Sequence, residues 1–338
     1  MGGKLNQQYN LPEKRLNTED YNYLLTRIMK VLDGLGIAYR TIDYYKTKES
    51  HGNLDLIINA QDPRKLIENN FITRYIHSNG KVCSFEQSGF QIDFINTPLE
   101  YFESTAFYYG AELGNFFGRI AHKMGFKLGE RGLLAPVKLD NYQLEEIEIT
   151  RNPTEILEFL GYDIEKYRKG FDALDDIFEF VESSSYFRPS LFLLENRNAV
   201  ARKREIHRKT YMLFIERIKD RDGKGLYRAT EALVNSKEFY WVKADKEFPH
   251  IHLLERRKIL VDRAAKIRIL RDKFNSCIPI LNLSGAELGK VVSTFKKQFG
   301  DKDKFYDFVG KYDKETIVNQ LLAEKYLQGN KDLIKSYG

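Results

Sequence analysis

Residues 41–58 read TIDYYKTKESHGNLDLII. A polar, basic and aromatic approach ends at Gly52, and the chain then turns apolar at Leu54-Asp55-Leu56-Ile57-Ile58. A short apolar run after a glycine predicts a buried strand. Asp55 sits inside that run, and Asp93 sits in the same way within Gln91-Ile92-Asp93-Phe94-Ile95. A carboxylate among buried apolar neighbours is costly unless it is paired or holds a cation. On separate central strands the two can meet at one point. There they can hold Mg²⁺ (or Mn²⁺), with substrate phosphate oxygens completing the shell. A pair of such ions can activate an attacking hydroxyl and stabilise a leaving pyrophosphate. Taken singly, each aspartate reads more simply as a strand end reaching solvent.

Working outward, Asn17-Thr18-Glu19-Asp20 supplies N-cap chemistry for a helix with Leu24, Leu25, Ile28, Val31 and Leu32 at helical spacing, ended by Gly34. Asp62-Pro63 caps a second helix running to about Asn70. Lys81 to Phe85 and Phe90 to Ile95 read as two strands joined by a turn at Glu86-Gln87-Ser88-Gly89. This order predicts a small mixed sheet covered by helices. Residues before Glu13 read as a loose arm. From Thr97 onward the pattern is mostly helical, with helices at Ala111–Met124 and Pro153–Phe159. Asp222-Gly223-Lys224-Gly225 and Phe248-Pro249 mark loops.

The 338 residues are 42% hydrophobic and 13% aromatic, enough to build a sizeable core. No apolar run approaches a membrane span, and the polar N-terminus lacks a signal-peptide pattern. The 2 cysteines, Cys83 and Cys277, lie far apart without metal-ligand spacing. That argues against a zinc site and for a reducing, cytoplasmic setting. The formal charge is only +6, but Glu195 to Lys273 holds 22 Lys/Arg against 12 Asp/Glu. Such a segment suits a phosphate-rich partner. Solvated helices with ordinary ion pairs would carry the same residues, so charge alone leaves both readings open.

The ordered series of motifs resembles the catalytic stretch of polymerases of the DNA polymerase β type (family X). Glu49, Ser50, Gly52, Asp55 and the apolar run match that pattern, Tyr44 its aromatic position and Lys46 its second basic one. Asp93 matches the third carboxylate, with Pro98 at the family's distance. Tyr108-Tyr109 falls where the family has an aromatic pair over the nucleotide sugar. On the following helix Glu112, Asn115 and Arg119 are candidates to face the base pair. Thr150 to Lys169 resembles the closing segment, so the resemblance covers roughly residues 20–170.

The resemblance implies an α/β nucleotidyltransferase palm with a helical fingers-like segment, residues 15–165, and an all-helical, basic C-terminal domain, residues 166–338. It implies metal-dependent transfer of a nucleoside monophosphate from an NTP or dNTP to a hydroxyl, with DNA or RNA as acceptor. Asp55, Asp93 and Asn53 would hold the metal. Ser50, Gly52, Lys46, Tyr108, Tyr109, Asn115 and Arg119 would hold the nucleotide.

Three departures bear on the chemistry. The phosphate-cradling Gly-Ser becomes Ile42-Asp43, where the acid would repel phosphate unless it faces away. The first basic residue becomes Tyr45, leaving Lys46 and Lys48 to supply charge. The first metal-binding carboxylate becomes Asn53, which keeps a carbonyl oxygen but loses the charge. A natural altered site, an inactive protein that binds nucleic acid or nucleotide, and a substituted aspartate all remain open. So does a relative acting on protein or tRNA. In the basic segment Arg202, Lys203, Arg204, Arg208 and Lys209 are candidates to track a nucleic-acid backbone. His51, beside the glycine turn, is within reach of a substrate but reads more simply as a loop histidine.

Overall fold

The computed structural model describes residues 4–223 and 235–336. The loop expected at Asp222-Gly223-Lys224-Gly225 leaves this range at Lys224, and the side chain of Glu112 also lies outside what is described. In chain order the first elements are α1 (Lys4–Tyr9), β1 (Leu16–Asn17), α2 (Thr18–Gly34), β2 (Ala38–Thr41), β3 (Ser50–His51), β4 (Asn53–Asn59), α3 (Pro63–Asn70), β5 (Ile76–Asn79), β6 (Val82–Gln87) and β7 (Phe90–Asn96). The expected caps are in place: Asn17 accepts from the Asp20 N–H at 2.8 Å and Asp62 from the Lys65 N–H at 3.1 Å. The expected loose arm is partly helical. Leu5 is fully buried and the Tyr9 ring lies 5.0 Å from Tyr75, which fastens α1.

Five strands form one mixed sheet in the order β2-β4-β7-β6-β5. Strands β4 and β7 run parallel at its centre, with Asp55 directly opposite Asp93. Strand residues alternate between faces. Leu54, Leu56, Ile58, Ile92 and Phe94 therefore point into a core with Tyr21, Ile28 and Leu32 of α2 and Ile67 of α3. Ile57 and Ile95 point to the other face, against Ala106 of the next helix, α4 (Phe102–Tyr109). Because both faces are covered, the central strands are apolar almost throughout. The same alternation puts Asn53, Asp55, Gln91 and Asp93 on the α4 face, at the N-terminal halves of their strands.

Beyond α4 come α5 (Leu113–Met124), β8 (Lys127–Gly129), β9 (Gly132–Leu139), β10 (Tyr142–Thr150), α6 (Pro153–Phe159), α7 (Ile164–Arg168), α8 (Leu174–Glu182), α9 (Ala199–Glu205), α10 (Lys209–Gly223), α11 (Lys237–Glu247), α12 (Leu253–Asn275), α13 (Gly285–Lys297), α14 (Lys302–Lys311) and α15 (Lys314–Ser336). A three-stranded sheet ordered β10-β9-β8 corrects the expectation of a mostly helical chain after Thr97. Its tip turns at Asp140, which takes a left-handed φ of 53°; aspartate tolerates that conformation better than most residues. The helix expected from Ala111 begins at Leu113, because Ala111 at φ 46° breaks it from a preceding 3₁₀ turn.

The chain divides into two compact units, Met1–Pro136 with Glu146–Leu254, and Val137–Glu145 with Glu255–Gly338. The boundary expected at 165/166 falls inside the first unit. The reason is aromatic packing. Phe116 of α5 lies 6.4 Å from Phe178 of α8 and 4.8 Å from Phe214 of α10, and Phe126 stacks on Trp241 of α11 at 5.7 Å. Each fully buried phenylalanine contributes about 1.5–3 kcal/mol, so these helices are part of the sheet-bearing unit. The second unit is not wholly helical, since it includes the 137–145 hairpin tip. Its core gathers Phe274, Val291, Phe295, Phe305, Val309, Ile317 and Leu321. Among the described residues no helix is long and apolar enough to cross a membrane.

Two glycines of α5 make opposite predictions. A Cβ at Gly114 would lie 2.1 Å from the Tyr108 carbonyl oxygen, whereas one at Gly118 would meet nothing within 4 Å. Gly118→Ala should therefore raise stability by about 1 kcal/mol through helix propensity. Gly114→Ala should lower it by ~2 kcal/mol or more, because backbone must move. Urea denaturation of both variants checks this; equal effects would show that the approach of α4 to α5 is not tight.

Candidate functional site

The site begins with the parallel pairing of β4 and β7. Register alone sets Asp55 beside Asp93, and adjacent strands are about 4.8 Å apart. Asp93 is 1% exposed. Two like charges this close are held by donors. The Asn53 amide nitrogen donates to Asp55 Oδ1 at 2.9 Å and to Asp93 Oδ2 at 3.1 Å. Gln91 Nε2 donates to both Asp93 oxygens, at 2.8 and 3.0 Å. Burial first, and then the Asp93 charge, push the Asp55 carboxyl well above the usual carboxylate range. Burial also raises the phenol of Tyr109, with Tyr108, Asp55 and Asp93 adding to the shift.

Asn53 and Asp55 open onto a cleft of about 530 Å³. The strand side contributes Tyr44, Tyr45, Lys48, Ser50 and Gly52, and Arg15 reaches in from the segment before β1. Tyr108, Tyr109 and Asn115 line it from α4 and α5. Leu174, Arg208, Lys209, Thr210 and Leu213 line it from the helical side. Tyr109 is held by a hydrogen bond from its hydroxyl to Glu130 Oε1, and its ring meets Tyr108 edge-on at 5.3 Å.

Several residues expected in the site are engaged elsewhere. Lys46 pairs with Asp172 at 2.6 Å and does not line the cleft. The charge beside Gly52 comes instead from the Arg15 guanidinium, and the Lys48 ammonium, also in the lining, lies 3.8 Å from the Tyr44 ring centroid. The Ser50 hydroxyl accepts from Arg15 Nε at 2.7 Å, and Arg15 Nη2 donates to the Ser50 carbonyl at 2.9 Å. Arg119 does not line the cleft and donates instead to Glu205 at 3.0 Å. His51 is a packed residue rather than a loop one: it is 3% exposed and stacks on Tyr21 at 4.0 Å. Asp43 is exposed and outside the lining.

Of the basic candidates, Arg202 and Lys203 are exposed on α9, Arg204 and Arg208 pair with Glu205, and Arg208 and Lys209 line the cleft. Gln91 and Arg15 escaped the sequence reading. Gln91 stands two residues from Asp93, on the same strand face, and that period was a usable signal. Arg15 reaches Ser50 across 35 residues, and nothing local announces it.

The donor set suits a hard cation. Two carboxylates and a carbonyl oxygen, the latter presented when the Asn53 amide turns over, are ligands that Mg²⁺ or Mn²⁺ takes along with waters and phosphate oxygens. Among the described residues no group of three or more His, Cys, Asp or Glu gathers, because the third member here is an amide. No protein-family model matches this chain, and no curated protein matches it in sequence.

The raised Asp55 carboxyl predicts a pH effect. The folded state favours its protonated form, so its contribution to stability is complete below the ordinary aspartate value of 3.8 and fades as pH rises towards neutrality. In chelator, melting temperature should fall between pH 5 and pH 7.5, and Asp55→Asn should flatten that slope. An unchanged slope in the variant would contradict the assignment.

Proposed function

We propose that the chain is a divergent nucleotidyltransferase of the DNA polymerase β type, transferring a nucleoside monophosphate from an NTP or dNTP to a nucleic-acid hydroxyl. The observation that carries this reading is the in-register Asp55–Asp93 pair on parallel central strands, with Asp55 and Asn53 opening onto a cleft with cationic walls and Asp93 buried beside them. Asp55, Asp93 and the Asn53 oxygen would hold Mg²⁺ or Mn²⁺, which when bound supplies Lewis-acid stabilisation of phosphoryl charge. The acceptor oxygen forms its bond to the α-phosphorus as the bond to the bridging oxygen breaks. Pyrophosphate carries away the electron pair, and the hydroxyl proton passes to the aspartate pair. Tyr108 and Tyr109 present ring faces that can hold the sugar and exclude water.

Charge supports a nucleic acid as acceptor. The second unit carries 19 Lys/Arg against 13 Asp/Glu, a balance of +6 that equals the whole formal charge of the chain, while the first unit balances at 35 against 35. Lys296, Lys297 and Lys302 line a cleft of about 540 Å³ there with Phe305 and Tyr306. These ammonium groups suit a phosphate backbone.

One observation favours a second reading, a binding protein without catalysis: the Asn53 N–H groups bridge the two carboxylates where a cation would sit. Incorporation of labelled nucleotide into a DNA primer and a tRNA pool, with Mg²⁺ or Mn²⁺, separates the two. Transfer by the chain is expected, rising ~10-fold or more in Asn53→Asp as the missing charge returns and vanishing in Asp55→Ala. No transfer by any form, with salt-sensitive oligonucleotide binding that ignores Mg²⁺, would replace the transferase reading by the binding one.

A further inference from the structure

The helical side of the cleft holds an unbalanced buried charge. Glu205, the last residue of α9, is fully buried. Four guanidinium groups converge on it: Arg119 at 3.0 Å, Arg204 at 3.1 Å, Arg208 at 3.5 Å and Arg197 at 4.0 Å. The Arg119 and Arg197 side chains keep only 13% and 9% of their exposure. One carboxylate against four guanidiniums leaves three positive charges. Arg119 Nε and Arg197 Nε are buried without an acceptor among the described residues, and Arg208 Nη1 has only Glu205 Oε2 at 3.5 Å, itself without a hydrogen bond. Packing α9 and α10 needs no such surplus, since one bidentate arginine would satisfy the glutamate. Buried donors and charge left over in this way are relieved by an anion.

The cluster reaches the cleft through Arg208, which lines it beside Lys209 and Thr210, in the same cleft as Asn53 and Asp55. On the strand side Lys46 is drawn to Asp172 and does not line the cleft, while Arg15 and Lys48 do. We propose that Arg208 and Lys209, backed by Arg119, Arg197 and Arg204 on Glu205, form a polyphosphate subsite. The terminal phosphates of a nucleoside triphosphate then lie on the helical side, with the α-phosphate towards Asp55. Arg208 and Lys209 touch the ligand; Glu205 is a positioning residue that aims the guanidiniums and keeps them from dispersing. This assignment rests on the nucleotide reading of the cleft, but it concerns binding and not transfer.

The test is calorimetric titration of the full chain with inorganic tripolyphosphate, without metal and at low salt. Lys209→Gln and Arg208→Gln should each weaken binding ~10-fold, the worth of one charge-assisted contact. Lys46→Gln should stay within ~2-fold of the parent. Lys209 is exposed, so its variant keeps the test decisive even if Arg208→Gln unfolds. Tripolyphosphate affinity unchanged in Lys209→Gln, or lost instead in Lys46→Gln, overturns the subsite. A short oligonucleotide lacking terminal phosphates separates the two sources of phosphate. If Lys209→Gln loses the oligonucleotide and keeps tripolyphosphate, these residues track a backbone and the proposal is overturned. Tripolyphosphate binding that follows Arg208 and Lys209 in a chain that transfers no nucleotide leaves the subsite standing while the transferase reading falls.

Discussion

Two carboxylates set side by side across a parallel strand pair are the constraint on which the rest of the site depends. Neither Asp55 nor Asp93 can move without breaking the central ladder, and both sit where burial makes charge expensive. The surroundings answer that cost with aimed donors: the Asn53 amide spans the pair and the Gln91 amide holds Asp93 from behind. A site of this kind is ready for a cation, because a divalent ion would neutralise what the amides only partly offset. With asparagine in place of a third carboxylate, the site carries less negative charge and asks more of whatever anionic substrate arrives with the ion.

Positive charge enters the cleft of the first unit from both sides. Lys48 and Arg15 enter the cleft from the strand side, and Arg208 and Lys209 from the helical side. Without its own surplus the unit as a whole is neutral, so the cleft is a local concentration of field and not part of a basic surface. The chain's net charge lies in the second unit. These two placements of lysine and arginine differ physically: a buried guanidinium acts at close range, while exposed ammonium groups act through a screened field.

What was legible in the sequence was local. The Asn17 and Asp62 caps, the two central strands and the facing aspartates all follow from short patterns, and the structure has them. The β9–β10 hairpin was equally local yet missed. Its signals were the Asp140-Asn141 turn and the alternation of Ile147 and Ile149 with Glu146, Glu148 and Thr150, masked by neighbouring helical stretches. The unit boundary was not legible, because Phe116 and Phe126 choose partners in α8, α10 and α11 only in the folded chain. The same holds for charged side chains. Lys46 finds Asp172 across 126 residues and Arg119 finds Glu205 across 86, partners that motif position alone does not announce.

The central claim is that the Asp55–Asp93 pair is a divalent-cation site coupled to nucleotide. Mn²⁺ binding followed by electron paramagnetic resonance, with and without a non-hydrolysable nucleoside triphosphate, tests it most directly. The account predicts weak binding alone, binding tightened by the nucleotide, and loss of both in Asp55→Asn and Asp93→Asn. Mn²⁺ binding that is indifferent to the nucleotide and survives both substitutions would contradict it.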